Sequence, residues 1–562
     1  MTQLDYLLIF LFSILVVVAG ISFSKTGRNM KSFFAGGGGI PSWISGLSLF
    51  MSFFSAGTFV VWGSIAYESG MVSITIQSTM AISGFLIFLF IARRWKRTGA
   101  LTVAEYISQR FGKKVQKMYT YLFIFISLFT AGAFLYPVAR IVNVSTGFPI
   151  ESVILFLGIS ILLYTAIGGF WAVLTTDVLQ FIILTVGVLI VIPLSFGEVN
   201  GIRGFISDVP GDFFTFTNQE YTPWFMFAFL IYNLFFIGGN WAYVQRYTSV
   251  KDERSAGRVG LIFGLLYLLF PLFWMLPPMI YRALNPSLDS LQEVEGAYLL
   301  MCKQVLPSGM LGLMLAGMVF ATASSVNTTL NMMAAVTTND LFKVFSPKSS
   351  QKVLIRVARI STILFGAGAI VVALLVPRFG GIVNVVLSVA AITGVPLYAP
   401  PIWGLFSKRI TGKAIVTITV LSLSITAFFK FLAPVLLDIS LSRANEMALG
   451  ALVPLGMLSL FELYAGMKRL DIKDYKKYVE TSNKEKELAS RETSTAREDN
   501  IFGIRVISVA AAVTGTMILV LGILSEKGAG YILTAGTVVL IFSLFIFFGT
   551  KKKKLKKELF GT

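Results

Sequence analysis

The chain has 562 residues, 56% of them apolar and 13% charged, about half the ~25% charge of an average soluble domain. At ~20 apolar residues per crossing of ~30 Å of hydrocarbon, this content stocks roughly 15 spans, so an all-α polytopic membrane protein is expected and soluble enzyme folds are excluded. Histidine is absent and Cys302 is the lone cysteine. That excludes Ser-His-Asp triads, His-ligated zinc or haem, CxxC redox pairs and internal disulfides.

The first apolar stretch covers residues 4–24 and follows MTQLDY, which has no basic residue. A secretory signal would need a basic start, so this is expected to be a retained leading helix. Lys25, Arg28 and Lys31 follow it directly, which places its N-terminus outside. Further apolar runs lie at 43–69, 72–92, 118–143, 150–171, 174–196, 224–244, 259–281, 310–336, 355–377, 382–406, 412–436, 446–466, 501–524 and 530–549. Together they predict about 15 transmembrane helices.

Charge placement gives the orientation. Loop 93–117, the loop after 244 (Arg246, Lys251, Arg254, Arg258) and the stretch 343–359 are basic. The intervening loops carry Glu198, Asp208, Asp212 and Glu220, then Asp289, Glu293 and Glu295. The positive-inside rule puts the N-terminus out and the C-terminus in. The net charge of +19 thus reports topology in a cell (inner or plasma) membrane, and no nucleic-acid partner is expected.

The domain plan is a leading helix and cytosolic loop (1–42), a ten-helix core (43–406, with repeats 43–196 and 224–406), and two further spans (407–467). A charged cytosolic linker, part helical, follows (468–500), then two C-terminal spans and a basic tail (501–562). The KKKKLKK tail is expected to touch anionic headgroups.

Within the core, GLSLFMSFFSAGTFVVWG from Gly46 interrupts an apolar span with Ser52, Ser55, Ala56, Gly57 and Thr58. NLFFIGGNWAYVQR from Asn233 places Gly238 and Gly239 inside another span, and a Gly pair is a helix-break point. The two segments open the two five-helix blocks. Paired breaks in corresponding positions point to a midplane transport site, although small residues also serve as packing notches. In AGMVFATASSVNTTLNMMAAVTTND, Ser324, Thr328 and Asn331 follow i, i+4, i+7 with Asn327 beside them. Such hydroxyl and carbonyl oxygens suit a small hard cation such as Na⁺; the alternative is a back-bond to the i−4 carbonyl. Asp177, an acid near the apolar core, is either functional or the partner of a basic group.

GGFWAVLTTDVLQ, NWAYVQR and SSVNTTLN…TTNDLF, in this order, resemble the sodium–solute symporter family over about residues 25–410. The resemblance implies the leucine-transporter-type inverted five-helix repeat and Na⁺-coupled symport, not an enzyme. By position, it implies an Na⁺ site from the carbonyls of Met51, Phe54 and Ala321 and the hydroxyls of Ser324 and Ser325. A second ion would use Asp177, Ser324, Asn327 and Thr328, so the cofactor is one or two Na⁺. Solute positions fall on Thr58, Gln77, Asn233, Tyr267 and Ser388, with the inner gate at Phe236 beside Phe235. The position of a carboxylate-gripping arginine falls near Thr130, and Arg140 on the same helix is expected to snorkel to the surface.

The expected partners are therefore a small polar solute, sodium ions and the bilayer, with the chain working as a monomer. The solute is expected to be a sugar or sugar derivative. A carboxylated solute, amino acid or vitamin is the alternative, and a channel or a transporter-like sensor is the alternative from another class.

Overall fold

The computed structural model describes residues 1–23, 38–53, 55–100, 102–164, 170–288, 290–342, 346, 348–490 and 496–560. Among them every extended element is a helix, and the one β-bridge pairs Ile40 with Val250. The leading helix α1 (Gln3–Ile21) opens on a capping box between Thr2 and Asp5. Next along the chain come α2 (Ser42–Met51), α3 (Gly63–Ser69), α4 (Met71–Leu86), α5 (Ala92–Thr98), α6 (Val103–Phe111), α7 (Lys113–Thr146), α8 (Ile150–Tyr164) and α9 (Phe170–Glu198).

They are followed by α10 (Pro223–Gly239), α11 (Trp241–Thr248), α12 (Glu253–Trp274), α13 (Leu276–Leu284), α14 (Leu291–Glu295), α15 (Ala297–Val305), α16 (Met310–Val336), α17 (Gln351–Leu375) and α18 (Ile382–Trp403). After the core come α19 (Gly412–Ala427), α20 (Arg443–Met467), α21 (Lys473–Ser490), α22 (Ala496–Leu524) and α23 (Ala529–Phe560).

Among the described residues, 11 helices are long and apolar enough to cross a membrane, or 12 if the pair α10–α11, bent by 60°, is one span. Shorter apolar helices lie at Ser42–Met51, Ile150–Ile159 and Met310–Ala323, where three more of the apolar runs begin.

Without a hydrophobic drive between helices in lipid, close packing rests on small residues and polar contacts. Helix α4 crosses α12 where a Cβ on Gly84 would stand 2.7 Å from the backbone of Gly264. Gly260, one turn earlier, lies against the backbone of Phe88 in the same way. At the far side of the core, the Asp5 carboxylate accepts from Thr2 N–H (2.7 Å) and from the amides of Gly309 (2.8 Å) and Gly312 (2.9 Å). One buried carboxylate thereby caps both α1 and the start of α16, where the helix dipole favours an anion.

The charged stretch after α20 folds as α21 and docks on the core. Tyr475 and Tyr478 flank the Arg110 guanidinium at 5.1 and 5.9 Å, and Ser482 Oγ donates to the Thr98 carbonyl at 2.6 Å.

The glycine crossing yields a direct test. Gly84→Val forces branched bulk against the α12 backbone and is expected to cost at least ~1–3 kcal/mol, the range of overpacked cores. Gly197→Val, at a position with nothing within 4 Å, serves as the control. Thermal unfolding of the purified proteins should show a lower Tm for the first variant only.

Candidate functional site

The polar interruption in the first core span is a true break. Helix α2 ends at Met51; the Ser52 and Phe53 amides still bond Ser48 O and Phe50 O, and from Ser55 on the amides leave the helical ladder. Ser55 N–H donates to Thr58 Oγ1 (3.3 Å), Ala56 N–H to Thr322 Oγ1 (3.0 Å) and Gly57 N–H to Ser55 Oγ (3.1 Å). In an unbroken helix the first two would serve the carbonyls of Met51 and Ser52. Those carbonyls therefore lose their usual i+4 donors at the C-terminal, electronegative end of α2.

The second break is different. Its terminal carbonyls are answered: Phe236 O accepts from Asn240 N–H (2.9 Å), Ile237 O from Tyr247 Oη–H (3.2 Å) and Gly238 O from Trp95 Nε1–H (2.7 Å). Of the two breaks, then, it is the first whose carbonyls lose their helical donors.

Thr322 ties the first break to α16 and itself donates to the Met318 carbonyl (3.0 Å). One turn on, Ser325 Oγ donates to the Ala321 carbonyl at 3.3 Å. The back-bond is present, yet it sets two oxygens side by side and leaves the hydroxyl lone pairs unused. Ser325 and Ser52 line one narrow cavity of about 60 Å³ together with Asp177, Arg246, Phe236 and Asn240. That is room for an ion with a few waters, well below the ~300 Å³ at which organic-ligand pockets begin. Phe54 lies outside the described residues, as do the side chains of Ser324, Asn327 and Thr328.

Asp177 is buried, and Ser48 Oγ donates to it at 2.5 Å. Arg246 Nε donates to the same Ser48 Oγ at 3.4 Å, and Nη1 donates to the Ala242 carbonyl at 2.6 Å. The sequence reads Arg246 as a loop cation; it is instead 3% exposed, on α11 beyond the 60° bend. Arg140 departs from expectation as well: it does not snorkel but is buried and donates to Asn143 Oδ1.

Gln180 on α9 is absent from the sequence expectations. Gly187 meets Met314 and Gly317 meets Ile183 and Leu184, so the antiparallel register sets Gln180 level with Ala321. It shares the face of Leu184 and Gly187 at i+4 and i+7. Both of its side-chain amide atoms are buried without a hydrogen-bond partner among the described residues.

The solute positions lie on packed elements around the first break. Thr58 Oγ1 is spent locally, donating to the Phe53 carbonyl at 2.9 Å. Asn233 Nδ2 donates to Thr79 Oγ1 at 3.1 Å, pinning α10 to α4. Gln77 Nε2 donates to the Ser73 carbonyl (3.3 Å), but Gln77 Oε1 and Tyr267 Oη are buried without partners among the described residues. The α4–α12 register, with Gly84 against Gly264 and Ser73 against Met275, puts Tyr267 about one turn from the level of Gln77. Ser388 is half-buried and does not line the cavity, and neighbouring Asn384 accepts from Arg443 at 2.5 Å.

Phe53, also missed by the sequence reading, sits at the centre of an aromatic cluster. Its ring lies 4.5 Å from Tyr243, 5.5 Å from Phe263, 5.9 Å from Phe236 and 6.3 Å from Tyr267. Phe236 reaches Tyr398 at 5.5 Å and lines the cavity; Phe235 is half-buried and does not.

The acidic-loop end of the bundle is tied shut. Glu295 accepts from Tyr136 Oη–H (2.9 Å) and Ile382 N–H (3.0 Å). Burial pushes its carboxyl above the usual range, and these bonds and Arg140 pull it partly back. Tyr67 Oη donates to the Asn285 carbonyl (2.7 Å), and Asn218 Nδ2 to Ser69 Oγ (3.2 Å).

Two broken helices around an oxygen-lined cleft, one end closed and the other holding a cavity, define a secondary active transporter with discontinuous helices. Residues 33–420 match the Sodium:solute symporter family, and the chain belongs to that family. It is thus a sodium-coupled, multi-pass membrane symporter, not an enzyme.

It is 26% identical to the sodium/glucose cotransporter of Vibrio parahaemolyticus over 472 residues, covering 76% of this chain and 85% of that protein. To the sodium/sialic acid symporter SiaT of Proteus mirabilis it is 26% identical over 443 residues, covering 75% and 89%. Its fold is similar to that of a substrate-bound, outward-open Na⁺-coupled sialic acid symporter (TM-score 0.67, 20% identity, 82% of this chain and 98% of that one).

The staple across the break can be tested alone. Thr322→Val keeps the shape but strands the Ala56 amide, a loss of ~1–3 kcal/mol for a buried unsatisfied donor. The expected outcome is a lower Tm together with a smaller Na⁺-induced thermal shift; an unchanged Na⁺ shift would remove Thr322 from the site.

Proposed function

We propose that the symporter imports a polyhydroxyl solute, a sugar or sugar derivative, with one Na⁺ per cycle. The observation that carries the ion site is the release of the Met51 and Ser52 carbonyls beside Ala321 and Ser325. Na⁺ is held there by Met51, Phe54, Ala321, Ser324 and Ser325, with the Gln180 amide oxygen facing the same level. A single ion is favoured because Asp177 already shares Ser48 with the Arg246 guanidinium. The alternative second site, built with Ser324, Asn327 and Thr328, forms only when Arg246 moves away, and Asp177 serves mainly to draw Na⁺ off toward the cytosol.

The sugar reading rests on Gln77 Oε1 and Tyr267 Oη, neutral polar atoms without a hydrogen-bond partner among the described residues, and on Asn233 between them and the bend. The relative named for glucose supports it. A carboxylated solute is disfavoured because Arg140 is engaged by Asn143.

The working topology is fifteen spans with the N-terminus out and the C-terminus in, organised as the ten-helix core 43–406 with flanking helices, acting as a monomer. In that orientation the closed end is extracellular, and Phe236 guards the exit to the cytosol.

The energetics suffice. A potential of 100 mV is worth ~2.3 kcal/mol per charge and a tenfold Na⁺ gradient ~1.4 kcal/mol, so one Na⁺ drives roughly 500-fold accumulation of a neutral solute.

Uptake into proteoliposomes of the purified protein tests this reading, with solutes first screened by Na⁺-dependent thermal shift. Ser325→Ala is expected to raise the half-saturating Na⁺ concentration about tenfold, equivalent to ~1.4 kcal/mol. Equal uptake with K⁺ in place of Na⁺ would refute the ion site. Wild type should move one charge per solute. Asp177→Asn should slow turnover while leaving that ratio at one; a wild-type ratio of two that falls to one in the variant would establish the second ion instead.

A further inference from the structure

Outside the transport core, α1, α22 and α23 enclose an apolar slot of about 620 Å³, lined by Leu4, Leu8, Val513, Leu521, Leu544 and Phe547 among others. Its α22 wall runs from Ser508 to Leu524, about 24 Å at 1.5 Å per residue, most of the ~30 Å hydrocarbon depth.

The two ends of the slot differ in charge. On α22, Arg505 continues the lining stripe of Val509 and Ala512 at i+4 and i+7. On α23, the helix runs on from Phe547 into a lysine-rich sequence at this same end of the slot. The sequence from Lys551 to Phe560 has six lysines and one acid, Glu558. At the opposite end, just past Leu524, the cation Lys527 is paired with Glu198 at 2.8 Å.

We propose that this slot is a binding site for an anionic phospholipid, its acyl chains along α22 and its phosphate at the end where Arg505 and the lysine-rich continuation of α23 lie. The apolar wall matches hydrocarbon, and the basic rim matches a headgroup phosphate of the leaflet that meets the tail. A second copy of this chain fits less well. A twofold dimer through the slot would set each basic rim against its own copy at the same depth, where like charges repel.

The test uses the full-length protein in neutral detergent, titrated with phosphatidylglycerol or with phosphatidylcholine of the same acyl chains, while Tm is followed. Phosphatidylglycerol is expected to raise Tm saturably by about 5 °C and phosphatidylcholine by far less. The triple variant Arg505→Gln, Lys551→Gln, Lys554→Gln should lose that difference with its slot intact. Val513→Trp, which plugs the slot and leaves the rim, should lose the phosphatidylglycerol response too. Equal responses to the two lipids, or a phosphatidylglycerol response that survives in both variants, would overturn the proposal. So would dimers joined through Val513→Cys, a readout kept clean by the burial of Cys302. None of these measurements depends on which solute is transported.

Discussion

In hydrocarbon a backbone amide that leaves its helix must find another partner, and this rule shapes the transport centre. Between Met51 and Thr58, three successive amides leave the ladder, and each is taken by a side-chain oxygen: Thr58, Thr322 and Ser55. The donors are satisfied, while the carbonyls they abandoned are not satisfied by the same route. A helix can thus be broken within a buried span without stranding these N–H groups, and the by-product is acceptor oxygen at the negative end of α2. The second break follows the same rule to the opposite result. Trp95, Tyr247 and the Asn240 amide answer its carbonyls, so that bend works as a joint rather than as an ion site.

What could be read from sequence was what is local along the chain. Apolar runs marked the spans, and the Ser52–Thr58 interruption and the Gly238–Gly239 pair marked the breaks to within a residue or two of where the helices end. Partners contributed by distant helices left no such mark. Ser48 and Gln180 sit in ordinary apolar stretches, and only the packing of α2 on α9 and of α9 on α16 gives them roles. Phe53 looked like one of 50 phenylalanines. Thr322 fell just outside the polar stripe, although a Thr four residues after Met318 on a helix beside a break was a usable hint. Arg246 was misread because a charge count along the chain cannot show a 60° bend. The charged stretch after α20 resembled solvated linker, since composition hides that two tyrosines can clasp Arg110.

The stabilising devices away from the cleft share a feature: each joins elements far apart in sequence through one compact group. Asp5 caps α1 and α16 together, Glu295 fastens α14 to α7 and α18, and Gly84 and Gly264 bring α4 and α12 into backbone contact. Apolar side chains give little reason for one helix to prefer another in lipid, so such polar and close-packed points specify the arrangement. Of these, the Glu295 contacts span the closed end, and they must separate if that end opens, whereas the glycine crossing can persist through the cycle.

Coupling between ion and solute requires that occupancy of one site change the free energy of a conformation that the other also senses. The aromatic cluster provides the contact. Phe53 lies two residues beyond Met51, and its ring touches Phe236 before the α10–α11 bend, Tyr243 after it and Tyr267 beside the Gln77 level. Under the proposed ion site, an ion that draws the Met51 carbonyl toward Ala321 would shift Phe53, and Phe53 cannot shift without repacking Phe236 and the bend together. A close-packed ring cluster has few alternative arrangements. On the proposed reading, that would turn a displacement of a fraction of an ångström at the ion into a choice between two packings of Phe236, the differential contact that symport needs.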